Sequence, residues 1–250
     1  MAGRSSLDFN GFLMGIDFIR REGWDENTYP FNLQAVANID GLDFHENVTF
    51  FAGDNGAGKS TLIEAIALAA NLNAEGGSHD HMFSTYDTHS NLDEFTRLIR
   101  NHKREKDRYF LRAETFYSKS NYLNNTGSAM LRYGGKQLQD QSHGEGMMSV
   151  FWNRFQGNGL YILDEPEAAL SPQRQMAFLT RLHDLVQDGC QFIIATHSPI
   201  ILSYPNALIY EISDRGVLPS DWENLEHVDT MQQFLKNPEA FHRILLDDAE

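Results

Sequence analysis

The 250-residue chain carries 20 Lys and Arg against 35 Asp and Glu, a formal net charge of −15. A single Cys excludes a disulfide framework and a Cys-rich zinc site, and fits a reducing, cytoplasmic setting. With 41% hydrophobic and 12% aromatic residues the chain is not disordered; it holds no apolar run near the ~18 residues of a membrane span, and its average field repels nucleic acid and anionic membrane.

The N-terminal MAGRSSLDFN lacks the apolar core of a signal peptide. Residues 12–21 alternate as a strand does, and 32–39 form a weaker strand candidate. VTFFAG (48–53) is a short β-rich run ending at a glycine, as a buried strand should. STLIEAIALAANL (60–72) has no breaker and predicts a helix packed on one side. Polar, turn-rich stretches at 73–91 and 118–128 predict loops or an insertion. Between them, Arg97, Arg100, Lys103, Arg104, Lys106 and Arg108 crowd six cations into a short window. That window reads as a solvated helix face and turn, or as a docking patch for a partner or a nucleic-acid backbone. YFLRAETFY (109–117) predicts a strand, EGMMSVFWNRF (145–155) a helix, and LYIL (160–163) a buried strand ending at Asp164. Ser171 reads as an N-cap and Pro172 as the first position of the helix that follows. CQFIIA (190–195) and ALIYEI (207–212) are further strands, a short pair follows them, and 231–246 is a helical tail. This alternation predicts an α/β fold: a mostly parallel sheet flanked by helices, with extra antiparallel strands near the start.

Three segments carry chemistry. Gly53-Asp54-Asn55-Gly56-Ala57-Gly58-Lys59-Ser60-Thr61 satisfies G-x-x-x-x-G-K-[ST] between a predicted strand and a predicted helix. Its glycines let successive N–H groups turn inward around a phosphate, and the helix start adds partial positive charge. Lys59 then reaches the β- and γ-phosphates and the Ser60 hydroxyl ligates Mg²⁺. Asp164 and Glu165 end a buried strand on the same crevice, so Asp164 holds Mg²⁺ and Glu165 is the general base for the attacking water. His197 ends the neighbouring strand and points towards the γ-phosphate.

The ordered set GDNGAGKST, QSHGEG, LYILDEP and ATHS resembles the ATP-binding-cassette ATPase superfamily over about residues 12–218. The implied fold is a P-loop NTPase of that type, a single domain over 1–250 with a helical insert at about 73–158. QSHGEG corresponds to the superfamily signature, with Ser142, Gly144 and Glu145 matching and His143 in place of its first glycine. The resemblance implies that these three residues cap the γ-phosphate of ATP held by the opposite protomer. YFLRAETF and LDEPEAALSPQRQ look like the small bacterial ATPases of the RecF/SMC-like branch. Ser171 stands where that superfamily's D-loop has aspartate, and no Gln lies between Ser60 and Lys136. Glu114 is the stand-in for the missing Q-loop residue and a candidate metal contact. Tyr29 or Phe31 is the candidate for stacking on adenine.

The expected function is that of a cytoplasmic ATPase binding Mg-ATP between the two protomers of a head-to-tail homodimer. Its hydrolysis would drive a partner, protein or DNA, engaged through 97–108, in DNA maintenance or defence. Two alternatives use the same residues: the nucleotide-binding subunit of a membrane transporter, and a non-hydrolysing ATP switch or scaffold. Long SMC-type coiled coils are excluded, because Ser142 stands only 83 positions beyond Lys59.

Overall fold

Two sheets share one helix between them. The computed structural model describes residues 8–74, 76–77, 90–116 and 142–246. The strands are β1 (Leu13–Phe18), β2 (Gly41–Asp43), β3 (Val48–Gly53), β4 (Thr96–Arg100), β5 (Asp107–Arg112), β6 (Gly159–Asp164), β7 (Gln191–Ala195), β8 (Leu208–Ser213) and β9 (Gly216–Ser220). The helices are α1 (Lys59–Ala69), α2 (His143–Asn153), α3 (Pro172–Gln187), the short α4 (Pro199–Leu202), α5 (Glu226–Lys236) and α6 (Pro238–Leu246). The larger sheet has the order β5-β6-β7-β3-β8-β9, parallel except for the β8–β9 pair. The smaller, antiparallel sheet has the order β2-β1-β4.

Helix α1 lies between them. Leu62, Ile63 and Ile66 are fully buried in one cluster with Leu13 and Ile16 of β1 and Phe51, Ile162 and Ile193 of the larger sheet. Each such side chain contributes about 1.5–3 kcal/mol by leaving water. A helix covered on both sides needs apolar residues all round, which is why its sequence has almost no polar face. The expectation of a helix packed on one side is corrected accordingly. The opposite face of the larger sheet buries Phe50, Tyr161 and Phe192 against Phe151 of α2 and Phe178 and Leu182 of α3. Phe50 and Phe51 thus enter different cores, as consecutive strand residues must.

Several predicted elements differ. Residues 32–39 form turns held by local bonds, among them Val36 N–H to Leu33 O at 2.9 Å, and Ala35 N–H donates to Ala57 O at 3.1 Å. The segment is a brace for the glycine-rich loop at 53–61, not a strand. The strand expected over 109–117 stops at Arg112, level with the end of its neighbour β6 at Asp164; residues 113–116 are helical. The tail is two helices, broken at Asn237-Pro238, since proline has no N–H to continue α5. The expected insert at about 73–158 contains β4 and β5, so this part of it belongs to the two sheets. The loop expected over 118–128, and most of that over 73–91, lies outside the described residues.

The basic window is strand, turn and strand, not a helix face. Arg97 pairs with Asp17, and Glu105 meets both Arg100 and Arg108. Lys103 donates to Asn10 O at 3.0 Å and sits over the Phe12 ring. Arg97 is exposed but paired, and Arg104 and Lys106 are exposed as well.

Candidate functional site

The parallel order brings the C-terminal ends of β6, β7 and β3 side by side, and the predicted chemical residues with them. The loop leaves β3 at Gly53 with φ 141°, where a Cβ would lie 2.3 Å from Ile212 O. No L side chain fits there, so the tight departure towards α1 requires glycine. α1 begins at Lys59 with no side-chain cap, whereas Ser171 caps α3 and Ser198 caps α4. Its first N–H groups are left for an anion.

Lys59 is buried, and its Nζ donates to Gly53 O and Asp54 O, each at 2.8 Å. Burial lowers its pKa, and the carboxylates of Glu165 and Asp164 pull it back up. The Ser60 hydroxyl donates to Asp164 Oδ1 at 3.0 Å. Asp164 is 4% exposed, and burial pushes its carboxyl up to about 6 against the opposing influences of Arg112 and Ser60.

Arg112, one position that sequence reasoning passed over, lies level with Asp164 across the β5–β6 ladder. Its Nε is 3.7 Å from Asp164 Oδ2 and is buried without a hydrogen-bond partner among the described residues, while its Nη1 pairs with buried Glu64 of α1. The signal for Glu64 was a carboxylate inside the apolar run LIEAIALAA; for Arg112 there was none, because strand register is not local. Ser60 and Asp164 offer hard oxygen donors at hydrogen-bond distance from each other, and the underneutralised buried carboxylate fits a Mg²⁺ ion.

Asp164 also sets a pH test. Its folded carboxyl keeps the proton to about 6, whereas the ordinary value is 3.8. The folded state binds more protons between these values, so stability falls as pH rises through the window. Asp164→Asn is therefore expected to stabilise the nucleotide-free protein at pH 8 by an amount on the order of 3 kcal/mol. Denaturant unfolding should show that gain vanishing near pH 4; an equal gain at both pH values would refute the assignment.

Glu165 follows at φ 50°, a left-handed conformation that costs a non-glycine residue about 1 kcal/mol or more. Its N–H donates to Ala195 O at 2.9 Å, and its Oε1 lies 3.0 Å from His197 Nε2. The turn throws the carboxylate out of the sheet towards the crevice, where His197 meets it.

A family model described as an AAA ATPase domain matches residues 84–202, the span that holds the acidic pair and His197. No protein of curated function matches the sequence. Among solved structures, cbiO1 from Clostridium perfringens, part of the ABC transporter complex cbiONQ, is 16% identical with a TM-score of 0.50, over 94% of this chain and 99% of that one. An ATP-binding cassette of an ABC transporter, in its ADP conformation, is 15% identical with a TM-score of 0.51, over 92% and 97%. The SMC head domain from Thermotoga maritima is 15% identical with a TM-score of 0.41, over 84% and 97%. The chain has the fold of the ATP-binding-cassette ATPases.

Ser142, expected to belong to a signature segment, is the N-cap of α2. Ser142 and Glu145 form a capping box, with Ser142 N–H and Oγ both 2.8 Å from Glu145 Oε2. Arg174 of α3 reaches over them, 3.4 Å from Ser142 Oγ and 3.6 Å from Glu145 Oε1. A Cβ on Gly144 would lie 2.3 Å from Arg174 Nη1 and 2.6 Å from Ala169 O. The glycine is required by that close approach. Gly144→Ala is expected to cost about 1–3 kcal/mol by overpacking; an unchanged melting temperature would show that α2 and α3 separate freely.

Glu114 is 82% exposed and 3.6 Å from Arg112 Nη2, so Arg112 stands between it and Asp164. Phe31 is unavailable for adenine, being buried among Trp24 and Phe95. Tyr29 is exposed, with its hydroxyl 3.5 Å from Thr61 Oγ1 in the first turn of α1. Ser171 caps α3 by accepting from Arg174 N–H at 3.4 Å. No helix among the described residues is long and apolar enough to cross a membrane.

Proposed function

We propose that the protein binds Mg-ATP and hydrolyses it, using Lys59, Ser60, Asp164, Glu165 and His197 of one protomer with Ser142, Gly144 and Glu145 of another. The observation that carries this is the meeting of Ser60 with Asp164, and of Glu165 with His197, each at 3.0 Å, beside an uncapped helix start.

On binding, Lys59 Nζ exchanges its loop carbonyls for β- and γ-phosphate oxygens, and residues 54–61 supply the surrounding N–H groups. Ser60 Oγ and Asp164 Oδ1 would hold Mg²⁺, which neutralises charge on those oxygens. Glu165 accepts a proton from water as the water oxygen bonds to the γ-phosphorus. The bond from that phosphorus to the β-bridging oxygen breaks, and ADP leaves with the electron pair. His197 Nε2 keeps Glu165 Oε1 directed at the water and contacts the γ-phosphate. Tyr29, beside Thr61, is placed to stack on adenine.

Ser142 and the start of α2 serve the γ-phosphate of the facing protomer, so ATP closes a head-to-tail homodimer and hydrolysis opens it. Glu114, next to Arg112, transmits the state of that site to a coupled partner. The test is phosphate release from ATP with Mg²⁺ and with chelator, together with the mass of the protein with and without ATP. No release would refute hydrolysis, and a monomer in saturating ATP would refute the composite site. A nucleotide switch without hydrolysis predicts the dimer alone; a transporter subunit predicts co-purification with a membrane-spanning protein.

A further inference from the structure

Glu167 has no place in the chemistry above, yet it touches the residue that does. Its Oε1 accepts from the His197 backbone N–H at 2.7 Å, and the side chain of fully buried Thr196 helps to stabilise its charged form. Its Oε2 is buried with no hydrogen-bond partner among the described residues. A carboxyl placed this way leaves half its hydrogen-bonding capacity unused in a dry site, which costs about 1–3 kcal/mol per orphaned group. Stability alone would be better served by an apolar side chain.

The same short loop is gripped from a second side. Ser198 N–H donates to Thr196 Oγ1 at 3.0 Å, Ser198 Oγ donates to Gln175 Oε1 at 2.6 Å, and Gln175 Nε2 donates to Leu170 O at 2.9 Å. Residues 196–198 therefore hang between two side chains from the segment that follows β6. Thr196 N–H donates to Phe51 O at 3.1 Å, and one residue on, among the described residues, the His197 N–H has Glu167 as its partner, so the main chain at His197 takes its position from that carboxyl.

We propose that Glu167 is a positioning residue: it fixes the main chain at Thr196–His197 so that His197 Nε2 stays against Glu165 Oε1 and the γ-phosphate. This rests on the ATPase reading of the site. Burial holds the Glu167 carboxyl above its ordinary range, in keeping with a group that works as a hydrogen-bond acceptor more than as a charge.

The experiment compares kcat, KM and affinity for trinitrophenyl-ATP across Glu167→Ala, Glu167→Asp and Glu167→Gln, with Glu167→Ala also placed on a His197→Ala background. Glu167→Ala is expected to lower kcat about 10- to 100-fold, at or below the low end of the roughly 10²- to 10⁴-fold that a positioned acid–base group contributes, because His197 is displaced and not removed, with KM and nucleotide affinity within about threefold. Glu167→Asp, one methylene short but still ionisable, should lose about tenfold and guards against an unfolded alanine variant. Glu167→Gln keeps the acceptor at full length and should stay within about threefold of the parent. On the His197→Ala background Glu167→Ala should add less than about threefold, because it acts through that ring. Wild-type kcat in Glu167→Ala or Glu167→Asp, multiplicative losses in the double variant, or a Gln variant as poor as Ala would each overturn the proposal. Should the parent protein release no phosphate, the ATPase reading fails by itself. The positioning role is then read from the His197 ring in nucleotide-free protein by nuclear magnetic resonance. Glu167→Ala should shift that ring's signals and Glu167→Gln should not; an unmoved ring in Glu167→Ala overturns it.

Discussion

Glu165→Gln is expected to stop phosphate release while leaving ATP bound. The amide has the shape of the carboxylate and can still face His197 Nε2, which lies 3.0 Å from Glu165 Oε1. It cannot take the proton of the attacking water, and loss of a positioned base costs about 10²- to 10⁴-fold in rate. The left-handed backbone at φ 50° suits Gln no better and no worse than Glu, so the melting temperature should stay close to that of the parent. With ATP and Mg²⁺ the variant should accumulate as a dimer in gel filtration, because hydrolysis no longer separates the protomers. A variant that turns over normally would remove Glu165 from the mechanism; one that binds ATP and stays monomeric would leave hydrolysis to a single protomer.

Lys59→Ala acts one step earlier. The Lys59 ammonium is buried between the carbonyls of Gly53 and Asp54 and is the cation of the phosphate loop. Replacing it removes charge-assisted hydrogen bonds to phosphate worth about 1.5–3 kcal/mol each. Two of them correspond to a loss of about 10²-fold or more in ATP affinity. Equilibrium binding of ATP checks this, with circular dichroism confirming that α1 and the sheets remain. Retained affinity would place the nucleotide elsewhere. The two variants also separate the steps: Lys59→Ala should neither bind nor dimerise, and Glu165→Gln should do both.

Much of the placement of the candidate site was legible in the chain, because it is written in short contiguous segments. The glycine-rich loop 53–61 lies between a buried strand and a helix, Asp164 and Glu165 stand at the end of one strand, and His197 follows another. Ser171 and Pro172 marked the start of α3 because a cap and a fixed φ are local chemistry. The misreadings share a cause. The segment 32–39 alternates well enough for a strand but closes on itself through bonds three residues apart. The basic window reads as a helix face and turn or as a docking patch, and the helix face fails because nothing local reveals that Arg97 finds Asp17, 80 positions away.

Phe31 was an equal candidate to Tyr29 until packing separated them, one among Trp24 and Phe95 and the other in solvent beside Thr61. The same holds for the residues that surround the acidic pair. Strand register puts Arg112 level with Asp164, helix packing brings Glu64 to Arg112, and a turn carries Glu167 under His197. From its sequence alone this protein has most of its element types, its glycine-rich loop and the order of its candidate chemical groups. These follow from dihedral preferences, hydrophobic period and contiguous motifs. Only the tertiary structure decides which cations are free, which carboxyls are buried and what holds His197. Those depend on contacts between segments dozens of positions apart, and no local preference encodes them.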